Sequence, residues 1–129
     1  GRKDMVVYQF PYTSETAFEK DSLIAMRNKI LGEYITGSFD SHMTTAVRAY
    51  DPDYRKMDVD GLFRAELRGL WEMTSDMMGG PFVSHAFVNE QTGMVVVVEV
   101  YIFAPEKEKR NLIRGMEAAL YTISISKDS

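Results

Sequence analysis

Phe63-Arg64-Ala65-Glu66-Leu67-Arg68-Gly69-Leu70-Trp71-Glu72-Met73 is the stretch on which the reading of the fold turns. Phe63, Ala65, Leu67, Gly69, Trp71 and Met73 fall on one side of it. Arg64, Glu66, Arg68 and Glu72 fall on the other. Successive side chains of a strand point to opposite faces, so this alternation predicts a half-buried antiparallel strand. Gly69 in its middle predicts a bulge or a close contact with a neighbouring element.

Working outward toward the C-terminus, Met77-Met78-Gly79-Gly80-Pro81 reads as a turn and Phe82 to Val88 as the next strand. Asn89 to Gly93 has the length and the glycine of a hairpin loop. Met94 to Phe103 is a long strand, apolar on both faces except at Glu99. Ala104-Pro105 then opens a last helix, with proline in the first turn where its missing N–H does no harm. Leu112, Ile113, Met116, Ala119, Leu120 and Ile123 are its predicted buried stripe.

Toward the N-terminus, His42 to Tyr50 reads as a strand closed by Asp51-Pro52-Asp53, with a loop running on to about Asp58. Glu15 to Thr36 is predicted to be a helix. Thr16 and Glu19 fit a capping box. Leu23, Met26, Ile30 and Tyr34, widened by Ile24, Leu31 and Ile35, make its apolar stripe. Gly37 supplies the stop. Met5 to Phe10 is the first strand. The order β-α-β-β-β-β-α predicts an α+β two-layer sandwich: a mainly antiparallel five-stranded sheet with two helices on one face, and residues 1–129 as one domain.

Composition agrees with a folded domain. The chain has 129 residues, 45% hydrophobic and 26% charged, the balance of a chain that buries a core. Its formal charge of −4 offers no basic surface for nucleic acid. The Lys107, Lys109, Arg110 and Arg114 group shares its helix with Glu106, Glu108 and Glu117. There is no cysteine, which excludes disulfides, thiol catalysis and thiolate metal sites. No cofactor is expected.

On this fold the second sheet face is uncovered. Arg64, Glu66 and Arg68 would line it, with Glu99 and Tyr101 from a neighbouring strand and Arg48 beside them. These residues are the candidate binding surface for an acidic or mixed ligand, a peptide or a partner domain. Solvated cross-strand ion pairs, worth about 0.2–1 kcal/mol each, produce the same pattern and are commoner. Glu99 is the most pointed residue, because a carboxylate in a β-branched strand needs a partner, and Arg64 or Arg68 is the expected one. His42 and His85 lack a nearby nucleophile or a metal-ligand spacing. The double glycine at Gly79-Gly80 precedes a strand and so is not a phosphate loop. Asp51, Asp53, Asp58 and Asp60 fail the calcium-loop pattern. Trp71 reads as a core anchor.

Three segments carry a resemblance. They are Arg68-Gly69-Leu70-Trp71-Glu72; Met78-Gly79-Gly80-Pro81-Phe82-Val83-Ser84-His85; and Val97-Val98-Glu99 continuing through Ala104-Pro105-Glu106-Lys107 to Glu117-Ala118-Ala119-Leu120-Tyr121. Together they resemble the C-terminal part of a domain-of-unknown-function family of Bacteroidetes lipoproteins. The resemblance implies an exported protein held in the cell envelope by a lipid on an upstream cysteine, the only membrane contact expected. The opening Gly1-Arg2-Lys3-Asp4, without an initiator Met, reads as that of an excised region or fragment, and the resemblance implies that the chain is the C-terminal half of that longer protein. No activity or residue role comes with the family. The reading is an envelope-associated binding or assembly module. Its expected partners are the N-terminal half, another envelope protein or a second copy. The alternative is a hydrolase or carbohydrate-active enzyme using Glu66, Glu99 or Glu72 with Arg64 or Arg68.

Overall fold

The computed structural model describes residues 2–75, 78–105 and Leu120. Strands β1 (Lys3–Pro11), β2 (Met43–Thr45), β3 (Asp53–Val59), β4 (Leu62–Met73), β5 (Met78–Asn89) and β6 (Met94–Ile102) form one antiparallel sheet that curls into a half-barrel. A two-residue strand, β7 (Ala104–Pro105), pairs with β5. The path is β1-β6-β5-β4-β2. β4 is the spine: β3 covers the first half of its outer edge and β2 the last three residues.

This corrects the predicted two-layer sandwich with a five-stranded sheet and two helices on one face. Among the described residues there is one α-helix, α1 (Lys20–Tyr34), preceded by a 3-10 turn at Glu15–Phe18. Ala104–Pro105, predicted to open the second helix, is extended and hydrogen-bonded to β5. The rest of that helix lies outside the described residues except Leu120, which is helical and buried. Leu120 packs with Ala46, Leu70, Val83 and Val100. Leu70, Val83 and Val100 belong to the face carrying Arg68, because cross-strand partners share a side. The sheet face predicted to be open is therefore covered at its centre.

Three further expectations shift for local reasons. β3 was expected as loop, since Asp53 to Val59 shows no apolar alternation; it is an edge strand, largely exposed on both sides. Gly79-Gly80-Pro81 is not a turn but part of β5. A Cβ at Gly80 would stand 1.8 Å from the Ile102 carbonyl oxygen, so that glycine permits two backbones to touch. Gly69 sits in unbroken register with Phe82, and a Cβ there would meet the Phe82 ring at 2.9 Å. The glycine marks a close contact, not a bulge.

Helix α1 lies on the face of the sheet bearing Ala65, Leu67 and Trp71. Its buried residues are Leu23, Arg27 and Leu31, one stripe at spacings of four, whereas Tyr34 is exposed. Ser14, not Thr16, supplies the side-chain cap of the 3-10 turn. After the helix, Ser38-Phe39-Asp40-Ser41 makes a tight turn closed by Ser41 N–H to Ser38 carbonyl at 3.1 Å. Phe39 and Asp40 both have positive φ, 55° and 60°. Phe39 is 95% exposed.

Candidate functional site

The five residues predicted to share one surface are divided between two. Cross-strand register places Leu67, Ser84 and Glu99 on one side of the sheet, and Glu66, His85 and Val98 on the other. Glu99 and Tyr101 face helix α1. Arg64, Glu66 and Arg68 face away from it.

On the helix side, Glu99 and Arg27 are both 0% exposed and form a bidentate pair at 2.7 and 2.9 Å. Arg27, not Arg64 or Arg68, is thus the partner the buried carboxylate requires. Ser84 Oγ donates to Glu99 at 2.5 Å, and Arg27 donates to Thr45 Oγ1 at 2.9 Å. The guanidinium lies 3.9 Å from the Phe82 ring centroid. Sequence reasoning passed over Arg27 because it is charged. The signal was present: it stands four residues from both Leu23 and Leu31, in the middle of the buried stripe. Among the described residues no buried side-chain nitrogen or oxygen lacks a hydrogen-bond partner, so this network holds the helix on the sheet. Tyr8, next to it, has its hydroxyl pKa pushed up by burial and by the Glu99 charge, partly offset by Arg27. Tyr101 meets Trp71 edge to face at 5.6 Å.

On the far side, Glu66 accepts from Arg68 at 2.8 and 3.2 Å and from Arg55 at 3.3 Å. His85 Nε2 lies 2.9 Å from Glu66 and Nδ1 lies 3.3 Å from Arg64 Nη1. A guanidinium only donates, so Nδ1 accepts and Nε2 carries the proton. Burial alone would raise the Glu66 pKa. Hydrogen bonds from His85 and Arg68 and the charges of Arg68 and Arg55 outweigh it and bring the carboxyl down to about 2. Arg68 also donates to the Leu120 carbonyl. Arg64 stacks over Phe87 at 4.7 Å.

That stacked pair borders a cleft of about 880 Å³. Pairing between β4 and β5 stops at Ala65 and Ala86. Both strands run on, β4 back to Leu62 within its hairpin with β3, and β5 forward to Asn89 within its hairpin with β6. The two hairpins part, and the cleft lies between them. Leu62, Phe63 and Arg64 line it from one side, Phe87 and Val88 from the other. Consecutive strand residues point to opposite faces, so a cavity lined by all of them lies in the plane of the sheet. The 3-10 turn closes the helix side with Phe18, Glu15 and Glu19. Phe18 meets Tyr12 at 5.6 Å and Phe63 at 5.1 Å, both edge to face. Tyr54 donates its hydroxyl to the Phe18 carbonyl, which fixes the turn. Burial, helped by the charge of Glu19, raises the Tyr54 pKa.

No cluster of three potential ligands among the described residues could hold a metal. No described helix is long and apolar enough to cross a membrane. The described fold is a half-barrel sheet whose β4–β5 pairing splits around an aromatic, acid-rimmed cleft. A family model for a domain of unknown function, DUF4837, matches residues 1–122, and the chain belongs to that family. No curated protein matches the chain.

Proposed function

We propose that this chain is a binding and assembly module of the bacterial cell envelope, and that it takes its ligand in the cleft between the β3–β4 and β5–β6 hairpins. The observation that carries the ligand site is the break in β4–β5 pairing, which leaves a cleft of about 880 Å³ walled by Tyr12, Phe18, Phe63 and Phe87. Its volume is that of a small-molecule or peptide site. The envelope reading rests on the lipoprotein resemblance of the Arg68–Glu72, Met78–His85 and Val97–Tyr121 segments. A neighbouring envelope protein or a second copy is the natural supplier of such a ligand. The hydrolase alternative has less support: Glu66 and Glu99 lie on opposite faces, and both carboxylates are occupied by arginines.

A fragment titration tests the ligand site. Isotope-labelled protein is exposed to small aromatic amines, aromatic acids and capped short peptides while backbone amide shifts are followed. Shifts gathered on Phe63, Phe87 and Glu90 are expected. Shifts elsewhere, or none from any probe, would refute the cleft as a site. Fractionation of cells making the full-length gene product tests the location; recovery in the soluble cytoplasm would refute it.

A further inference from the structure

We infer that the occupant of the cleft is an extended segment of a partner polypeptide, rich in basic residues, which enters as an additional strand between β4 and β5. This rests on the cleft being the ligand site, and adds what kind of ligand fits it.

The first argument is backbone chemistry. Residues 62–64 of β4 are paired with β3, and residues 87–89 of β5 with β6, each along one edge. Their other edges face the cleft, and among the described residues neither has a strand partner there. Strand edges present rows of N–H and C=O groups that another strand can satisfy. Small ligands bound on a sheet face do not use those groups. A peptide lying in the plane of the sheet does, as in other cases of strand addition. Three residues on each side give about 10 Å of edge, the length of three to four residues of ligand, and because alternate residues turn their backbone groups to opposite edges, one or two on each side offer theirs to the cleft.

The second argument concerns side chains. An added strand sends alternate side chains to the two faces. On the helix side they meet Tyr12, Phe18 and Phe63, a continuous edge-to-face aromatic wall that suits apolar or aromatic groups. On the other side stands the Arg64–Phe87 stack.

Charge supplies the third. Glu15, Glu19, Asp60 and Glu90 line the cleft against two cations, Lys56 and Arg64. Arg64 is already held by Phe87 and His85. Glu15, Glu19 and Glu90 make no ion pair among the described residues. Lysine or arginine side chains beside aromatic rings and carboxylates gain from both.

The test uses the whole chain and capped eight-residue peptides of lysine, phenylalanine and valine, titrated against labelled protein. Three controls accompany them: the same peptides N-methylated at alternate backbone nitrogens, versions with glutamate for lysine, and phenethylamine as a free cation. The parent peptides should shift the amides of residues 62–64 and 87–89. N-methylation and the glutamate exchange should each weaken binding at least tenfold. Phe63→Ala and Glu19→Gln, checked for fold by circular dichroism, should each weaken it at least threefold. Equal binding of N-methylated and parent peptides would overturn the strand-addition claim. So would phenethylamine binding in the cleft where peptides do not, an outcome that leaves the cleft as a ligand site. A dimer in light scattering that Phe63→Ala dissolves would replace the partner peptide by a second copy. Failure of every probe to reach the cleft would overturn both readings.

Discussion

Replacing Arg27 by methionine should remove a large share of the stability of this domain. The methionine keeps most of the stem volume, so the loss is electrostatic more than steric. It strips Glu99 of both guanidinium bonds, at 2.7 and 2.9 Å, and leaves it the hydrogen bond from Ser84. Thr45 is not orphaned, because it still bonds to Asn28 at 2.7 Å. An uncompensated buried charge costs about 3–5 kcal/mol, against a total of roughly 5–15 kcal/mol for a domain. With a urea slope of about 2 kcal/mol/M, the midpoint should fall by about 2 M. Trp71, the single tryptophan and buried, reports the transition by its fluorescence. The double variant Arg27→Met/Glu99→Leu removes both charges and should recover most of the loss, since apolar replacement of a buried pair is often neutral or stabilising. A single variant within about 1 kcal/mol of the parent, or a double variant weaker than the two singles together, would refute the argument.

Other consequences can be measured with the same apparatus. Gly80→Ala places a Cβ where the Ile102 carbonyl already stands; the strain should cost about 1–3 kcal/mol or more, visible as a lowered melting temperature, and an unchanged melt would show that the Ile102 end of β6 yields freely. Glu66 has its folded pKa below its ordinary value of 4.5, at about 2. Its stabilising contribution is therefore present above pH 4.5 and is lost as pH falls toward 2. Glu66→Gln should be less stable at pH 7 and show a flatter acid limb over that window; identical pH profiles would contradict the assignment. Phe39→Asn, at an exposed residue with φ 55°, should stabilise by about 1 kcal/mol, because asparagine tolerates that conformation where phenylalanine is strained. A lower midpoint would mean that Phe39 makes a stabilising contact.

The central meander was legible because its residues alternate. Ala65, Leu67, Trp71 and Met73 point into the core as their spacing requires. The opposite side of the same strand misled for a physical reason. Arg64 and Glu66 are only 8% and 4% exposed, and a buried arginine–glutamate–histidine cluster has the same residue pattern as a solvated one. β3 escaped notice because an edge strand with both faces wet needs no apolar period. The candidate surface split for one reason: register decides sides, and Glu99 falls opposite Ser84, not His85. The cleft had no local signature at all. It comes from where β4–β5 pairing ends, a property of two segments together.

The sheet's outermost pairing joins Lys3–Pro11 to Met94–Ile102. During synthesis the first of these strands leaves the ribosome about 90 residues before its partner, and at roughly 5–20 residues per second that is a wait of about 5 to 20 s. Meanwhile Met5 and Val7 have no strand beside them. Closing so long a loop is an entropic toll on the folding rate, so assembly of the domain should finish at its N-terminus, and holdase chaperones have their best opportunity there.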